Sequence, residues 1–168
     1  MSETNRETRC FRWEAANEAD TVSLAERLAE RAQPGMVLAL DGDLGAGKTR
    51  FAQAFARALG VTETVNSPTF TIIKEYEGRV CPFYHMDVYR ITPEEADELG
   101  LDEYFFGDGV TLVEWASRIE PLLPPERLHL RLTVTGPVSR TITARPVGER
   151  YERLCREAGM RPGEEENG

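Results

Sequence analysis

Two kinds of hydrophobic pattern alternate along this chain. In residues 17–31, Ala19, Val22, Leu24, Ala25 and Leu28 recur at near-helical spacing between charged residues, and Pro34-Gly35 ends the segment. Residues 36–41, Met-Val-Leu-Ala-Leu-Asp, form instead an almost unbroken apolar run, as expected of a strand buried on both faces. Residues 48–59 return to helical spacing, with Phe51, Ala52, Phe55, Ala56 and Leu59 on one face and Gly60 as the stop. A short strand is predicted at 8–14. Strands at 70–76 and 80–89 are linked through Glu77-Gly78-Arg79, which predicts an antiparallel hairpin. Thr92 followed by Pro93-Glu94-Glu95 reads as a capped helix start. Another buried-type strand is predicted at 110–115, a proline-marked loop around Pro121, Pro124 and Pro125, strands at 128–134 and 139–144, and a last helix at 148–158. The expected fold is α/β, a sheet of mixed parallel and antiparallel strands flanked by helices.

A length of 168 residues supports one domain, placed at 8–158, with an acidic tail at 159–168 expected to be disordered. The formal charge of −9 argues against a protein that grips nucleic acid mainly through its own surface, and no run of lysines and arginines offsets it locally. The polar N-terminus lacks the apolar core of a secretory signal, and no apolar run approaches membrane-spanning length. Cys10, Cys81 and Cys155 are far apart and lack metal-ligand spacing, so they read as reduced thiols. The expected compartment is the cytosol.

The chemistry is concentrated in Gly42-Asp43-Leu44-Gly45-Ala46-Gly47-Lys48-Thr49, which satisfies the P-loop pattern between a buried strand and an amphipathic helix, so the expected α/β sheet is P-loop NTPase-like. Its glycines let consecutive backbone N–H groups turn inward toward phosphate oxygens, and the following helix adds its positive N-terminal end. Lys48 can reach β- and γ-phosphates, and the Thr49 hydroxyl can ligate Mg²⁺. A P-loop also needs a strand-end carboxylate for the metal. Asp87, after Phe83-Tyr84-His85-Met86, and Glu114, after Val110-Thr111-Leu112-Val113, both qualify.

Four motifs, the P-loop, Ser67-Pro68-Thr69-Phe70, His85-x-Asp87-x-Tyr89-Arg90 and Val113-Glu114-Trp115, together resemble the bacterial TsaE (YjeE) family from about Thr21 to Arg140. The resemblance implies an ATPase that acts with TsaB- and TsaD-like proteins to make threonylcarbamoyladenosine in tRNA. It implies ATP and Mg²⁺ as ligands. Lys48, Thr49, Asp87 and Glu114 would serve nucleotide, metal and hydrolysis, with Thr49, Asp87 and Glu114 at the metal. Candidate nucleotide contacts are Asp43, Leu44, Gly45, Ala46, Gly47, Lys48 and Thr49, joined by Arg140. One departure, Ala54 where family members usually carry Gly, replaces a poor helix former with a good one.

Other residues admit two readings. Ser67-Pro68-Thr69 is a turn on spacing alone, yet it lies where many P-loop proteins place a γ-phosphate-sensing loop. The resemblance favours that switch, with Thr69 as sensor and a third catalytic candidate. His85 is either packed and hydrogen-bonded or involved in coupling. Trp115 reads as a partner contact or a lid over the site rather than as core, while Tyr89 and Arg90 support either the metal acid or a partner. Among functions, a small-molecule kinase also needs a P-loop, but no arginine lies between Gly100 and Gly109 to form its lid. A nucleotide-gated binding module shades into the accessory ATPase. RNA is expected to be reached only indirectly, through the partner complex.

Overall fold

The structure is a computed structural model that describes residues 10–68 and 71–163. Eight strands form one sheet in the order β3-β4-β5-β2-β6-β7-β1-β8. They are β1 (Cys10–Ala15), β2 (Val37–Gly42), β3 (Ile73–Glu77), β4 (Pro82–Asp87), β5 (Val110–Glu114), β6 (Arg127–Val134), β7 (Arg140–Val147) and β8 (Arg161–Gly163). The central strands β4, β5, β2 and β6 run parallel. Both flanks are antiparallel: β3 on β4 at one edge, and β7, β1 and β8 in succession at the other. The expected hairpin is therefore β3–β4, and the mixed sheet is as expected.

All six residues of β2 are buried, which explains its lack of polar alternation. Leu38 and Leu40 face a core built with α1 (Glu18–Arg31), α2 (Lys48–Ala58) and α5 (Glu149–Glu157), whereas Val37 and Ala39 face a second core. The second core holds Ala96 of α3 (Pro93–Asp97), Phe105 of α4 (Asp102–Phe105), and Ala116 and Ile119 of a 3-10 segment (Ala116–Leu122). On α2, Phe51 and Phe55 lie one turn apart and fully buried, and Phe55 meets Phe83 of β4 with ring centroids 5.8 Å apart. Each such burial stabilises the fold by about 1.5–3 kcal/mol. Tyr151 ties the C-terminal helix to the central strand, its hydroxyl accepting from the Val37 N–H at 2.8 Å.

The helix signals act as read. Asn17 caps α1 by accepting from the Asp20 N–H at 2.9 Å. Thr92 and Glu95 close a reciprocal capping box, with Pro93 in the first turn. Corrections fall at the margins. Residues 159–163 are not tail: β8 pairs with β1 through Cys10–Gly163, Phe11–Pro162 and Arg12–Arg161. Three residues are too few to show alternation, so ladder pairing alone makes this strand. Residues 164–168 lie outside the described residues. Helix α4 and the 3-10 segment, with Pro121 inside it, were not foreseen. No helix among the described residues is long and apolar enough to cross a membrane.

Candidate functional site

The site lies beyond the carboxyl ends of the parallel strands, where α/β sheets place their ligands. Strand β2 delivers the chain into residues 43–47, and α2 starts at Lys48. Gly45 and Gly47 adopt φ of +83° and +106°, and a side chain at either would meet nothing within 4 Å. Internal packing therefore does not demand glycine there. The left-handed backbone does, and the resulting loop leaves clear space above the helix N-terminus. Asp43 and Leu44 are exposed, Leu44 by 74%, whereas Ala46 is buried against the core.

Lys48 is buried, its Nζ donating to the carbonyls of Gly42 at 2.5 Å and Asp43 at 3.0 Å. The same ammonium sits 4.0 Å from the Trp115 ring centroid. Burial lowers the Lys48 pKa from its ordinary value; the carboxylates of Glu114, Asp41, Asp87 and Asp43 pull the other way without cancelling that effect. Trp115 itself has φ of +62°, a left-handed turn that ends β5 and starts the 3-10 segment. Its ring packs on Tyr89 at 4.6 Å, leans on the second core and stands over Lys48, a position that combines core packing with cover for the site.

The two candidate metal acids stand side by side. Asp87 and Glu114 are register partners at the ends of β4 and β5. They are only 6% and 2% exposed. Each is held separately. Asp87 accepts from the Ser67 hydroxyl at 3.1 Å and the Tyr89 N–H at 3.0 Å. Glu114 is bonded at 2.6 Å to Nε2 of His85, a residue with no exposure at all. The other ring nitrogen, Nδ1, has no hydrogen-bond partner among the described residues. A neutral ring protonated on Nε2 fits this surrounding, because it donates to the carboxylate and leaves Nδ1 an acceptor rather than a stranded donor. His85 is thus the positioning partner of Glu114, which its type and spacing alone did not reveal.

The two buried carboxylates, side by side at the strand ends, present the hard oxygen donors that a divalent cation prefers, while Lys48, Arg50 and Arg90 in the same lining present positive charge to an anion. No group of three or more His, Cys, Asp or Glu with metal-site geometry occurs among the described residues. Mg²⁺ needs only one or two carboxylates, its remaining ligands being water and phosphate oxygens, and Asp87 and Glu114 supply that number. The cleft, about 410 Å³, is bounded by the loop and by Thr49, Ser67, Asp87, Glu114 and Trp115. Tyr89 and Arg90 also line it. The structure thus brings together Lys48, Thr49, Asp87 and Glu114.

Arg140 lies elsewhere. From the start of β7 its Nε donates to the Ala46 carbonyl at 2.8 Å and one terminal nitrogen to the Gly45 carbonyl at 3.3 Å. The other donates to the carbonyls of Ser139 at 2.7 Å and Gly136 at 3.1 Å. The guanidinium braces the loop backbone and is not among the residues that line the cleft. Thr69 lies outside the described residues, but its flanks are informative. Ser67 bonds the Asp87 side chain, and the Ile72 carbonyl accepts from the Asp87 N–H at 2.8 Å. Ile72 has φ of +68°, a strained choice for a β-branched residue. Beneath the loop, Asp41 accepts from the Ser117 N–H and hydroxyl and is bonded to His129, a brace with no sequence signal.

Comparison with known proteins accords with this geometry. Residues 15–142 match the family model described as "Threonylcarbamoyl adenosine biosynthesis protein TsaE". The chain is 56% identical over 147 residues to the tRNA threonylcarbamoyladenosine biosynthesis protein TsaE of Bacillus subtilis, covering 88% of this chain and 92% of that one. It is 40% identical over 136 residues to the protein of that name from a Nostoc species, covering 78% and 83%. The crystal structure of Bacillus subtilis YdiB superposes with a TM-score of 0.79 at 50% identity, over 90% of this chain and 95% of that one. The motifs, the mixed sheet and these matches agree: the chain belongs to the TsaE family.

Proposed function

We propose that this protein works in tRNA threonylcarbamoyladenosine biosynthesis as a cytoplasmic, Mg²⁺-dependent ATPase that acts with TsaB- and TsaD-like partners. The observation that carries the reading is the register pair Asp87–Glu114 facing Lys48 and the N-terminus of α2 across one cleft. In this reading the N–H groups of residues 45–49 and the Lys48 ammonium hold the phosphates of ATP. The Thr49 hydroxyl and the two acids would hold Mg²⁺. The metal, when bound, neutralises charge that develops on the γ-phosphate oxygens. The chain's own part is positioning: Lys48 leaves the Gly42 and Asp43 carbonyls for phosphate oxygens, and Trp115 shields that end from solvent. Glu114, oriented by His85, orients the attacking water and receives its proton. Arg140 keeps the loop in its phosphate-ready shape.

The segment around Thr69 is tied on both sides to Asp87, so a contact between Thr69 and the γ-phosphate would be felt at the metal acid. That supports Thr69 as the sensor and gives hydrolysis a route to the protein surface. The test is ATP turnover by the chain alone and with both partners, with and without tRNA. Stimulation by the partner pair is the expected result. Turnover that needs a phosphate-accepting small molecule would replace the reading with a kinase.

A further inference from the structure

Strand β2 carries a buried carboxylate where its own alternation calls for an apolar side chain. Val37 and Ala39 face the second core, and Asp41 follows them on that side, 2% exposed. A buried carboxylate is costly unless partnered, and even a partnered one is often no more stabilising than an apolar residue of similar size. Stability alone therefore does not account for Asp41, and the mechanism above does not use it. Its partners point to a role. Oδ1 accepts from the Ser117 N–H at 3.2 Å and the Ser117 hydroxyl at 3.0 Å, while Oδ2 is bonded to Nε2 of His129 on β6. Ser117 stands in the first turn of the 3-10 segment, just after the left-handed Trp115. One residue back, the Leu40 carbonyl accepts from the Trp115 N–H at 2.9 Å. One residue on, the Gly42 carbonyl accepts from Lys48. The end of β2 thus holds two structures at once, the loop that carries Lys48 and the turn that follows Glu114.

We propose that Asp41 is a positioning residue for ATP hydrolysis, clamping Ser117 so that the turn after Glu114 keeps the Trp115 ring over Lys48. The proposal rests on the reading above, in which Lys48 holds phosphate and Glu114 orients water. An aromatic residue rarely adopts φ of +62°, and such a backbone persists only where its surroundings over-determine it. The clamp is part of those surroundings. Held in that turn, the Trp115 ring has the Lys48 ammonium 4.0 Å from its centroid and Tyr89 at 4.6 Å, and the Arg118 guanidinium lies 5.3 Å from the Tyr89 ring. When phosphate oxygens draw Lys48 from the Gly42 and Asp43 carbonyls, the clamp stays, because it is made to Ser117 and not to the lysine. Without it the turn is free to relax, the ring leaves Lys48, and water reaches the phosphate end of the cleft. The loop N–H groups and Lys48 would still bind ATP. The loss therefore falls on kcat rather than on KM.

The experiment uses the full chain carrying Trp13→Phe, which leaves Trp115 as the single tryptophan. Into it are placed Asp41→Ala, Asp41→Asn, Ser117→Ala and, as a control, Tyr151→Phe, which removes the hydrogen bond at the other end of β2. Partner-stimulated ATP turnover, acrylamide quenching of Trp115 without nucleotide, and Tm are measured for each. Asp41→Ala should lower kcat by about tenfold or more, keep KM for ATP within about threefold, and raise the quenching. Ser117→Ala, which keeps the N–H bond, should do the same to a lesser degree, whether or not Asp41→Ala folds. Asp41→Asn, whose amide oxygen still accepts from Ser117, should restore most of the turnover and the quenching. Tyr151→Phe should lower Tm and leave kcat and quenching near those of its parent. Unchanged Trp115 quenching in Asp41→Ala and Ser117→Ala overturns the proposal. So does Asp41→Asn as impaired as Asp41→Ala, or a kcat loss that Tyr151→Phe reproduces at equal loss of Tm. Absence of turnover in the parent protein would fail the ATPase reading instead, while the quenching comparison still decides whether Asp41 holds the turn.

Discussion

Replacing His85 by Leu tests the central geometric claim, that Glu114 works because a buried imidazole holds it. The bond is 2.6 Å long, between residues 0% and 2% exposed. A hydrogen bond to a charged group contributes about 1.5–3 kcal/mol, and its loss strands a carboxylate where water cannot readily reach it. Leucine also removes Nδ1, which has no partner among the described residues, and that relief returns about 1 kcal/mol. The net cost is about 0.5–2 kcal/mol, read as a fall in Tm of roughly 1–8 °C for a domain of this size. Function should suffer more. Loss of the group that orients a metal-binding carboxylate typically costs about 10–100-fold in metal affinity or activity. The assay is thermal unfolding together with partner-stimulated ATP turnover across a Mg²⁺ titration, repeated in a Glu114→Gln background. There the His85 substitution should cost less stability, because no buried charge is left behind. His85→Gln, which can still donate, should restore part of the activity. Equal loss with and without Glu114→Gln, or an unchanged Mg²⁺ dependence in His85→Leu, would refute the reasoning.

Lys48→Ala should abolish ATP binding in calorimetric titration, since the phosphates lose the ammonium that the loop itself encloses; undiminished affinity would remove the P-loop assignment itself. Asp87→Asn and Glu114→Gln should each keep the fold and depress Mg²⁺-dependent turnover by at least about tenfold. A silent Asp87→Asn beside an inactive Glu114→Gln would leave a one-acid site. Arg140→Ala should weaken ATP and ADP binding together, because it loosens the loop carbonyls at Gly45 and Ala46 rather than a γ-phosphate contact. A turnover defect with intact affinity for both nucleotides would place Arg140 in the chemistry instead. For Asp41, burial pushes the carboxyl pKa up, but hydrogen bonds from His129 and Ser117 outweigh it and hold it below the ordinary 3.8. Its stabilisation is present above pH 3.8 and lost as pH falls through the lower folded value, so Asp41→Asn should flatten the acid limb of stability against pH. An unchanged acid limb would show that the brace contributes nothing.

Local pattern alone determined the elements that contain the chemistry. The apolar run before Asp41, the Gly-rich turn and the helix of Phe51 and Phe55 each follow from residues close in sequence, and each stands where its pattern placed it. The two strand-end acids were legible for the same reason, since an apolar run that stops at a carboxylate is a local signal. What they face was not. Asp87 and Glu114 are neighbours only because β4 lies beside β5, and His85 reaches Glu114 only because both side chains leave the same face of that pair. Arg140 meets the P-loop from a strand far along the chain, after β6 and β7 have built the antiparallel flank. Strand β8 exists only through its pairing with β1. Periodicity reports which side of an element is apolar, an energy decided within a few residues. Strand order and register are decided by burial and hydrogen bonding among distant segments, and they choose which polar groups meet.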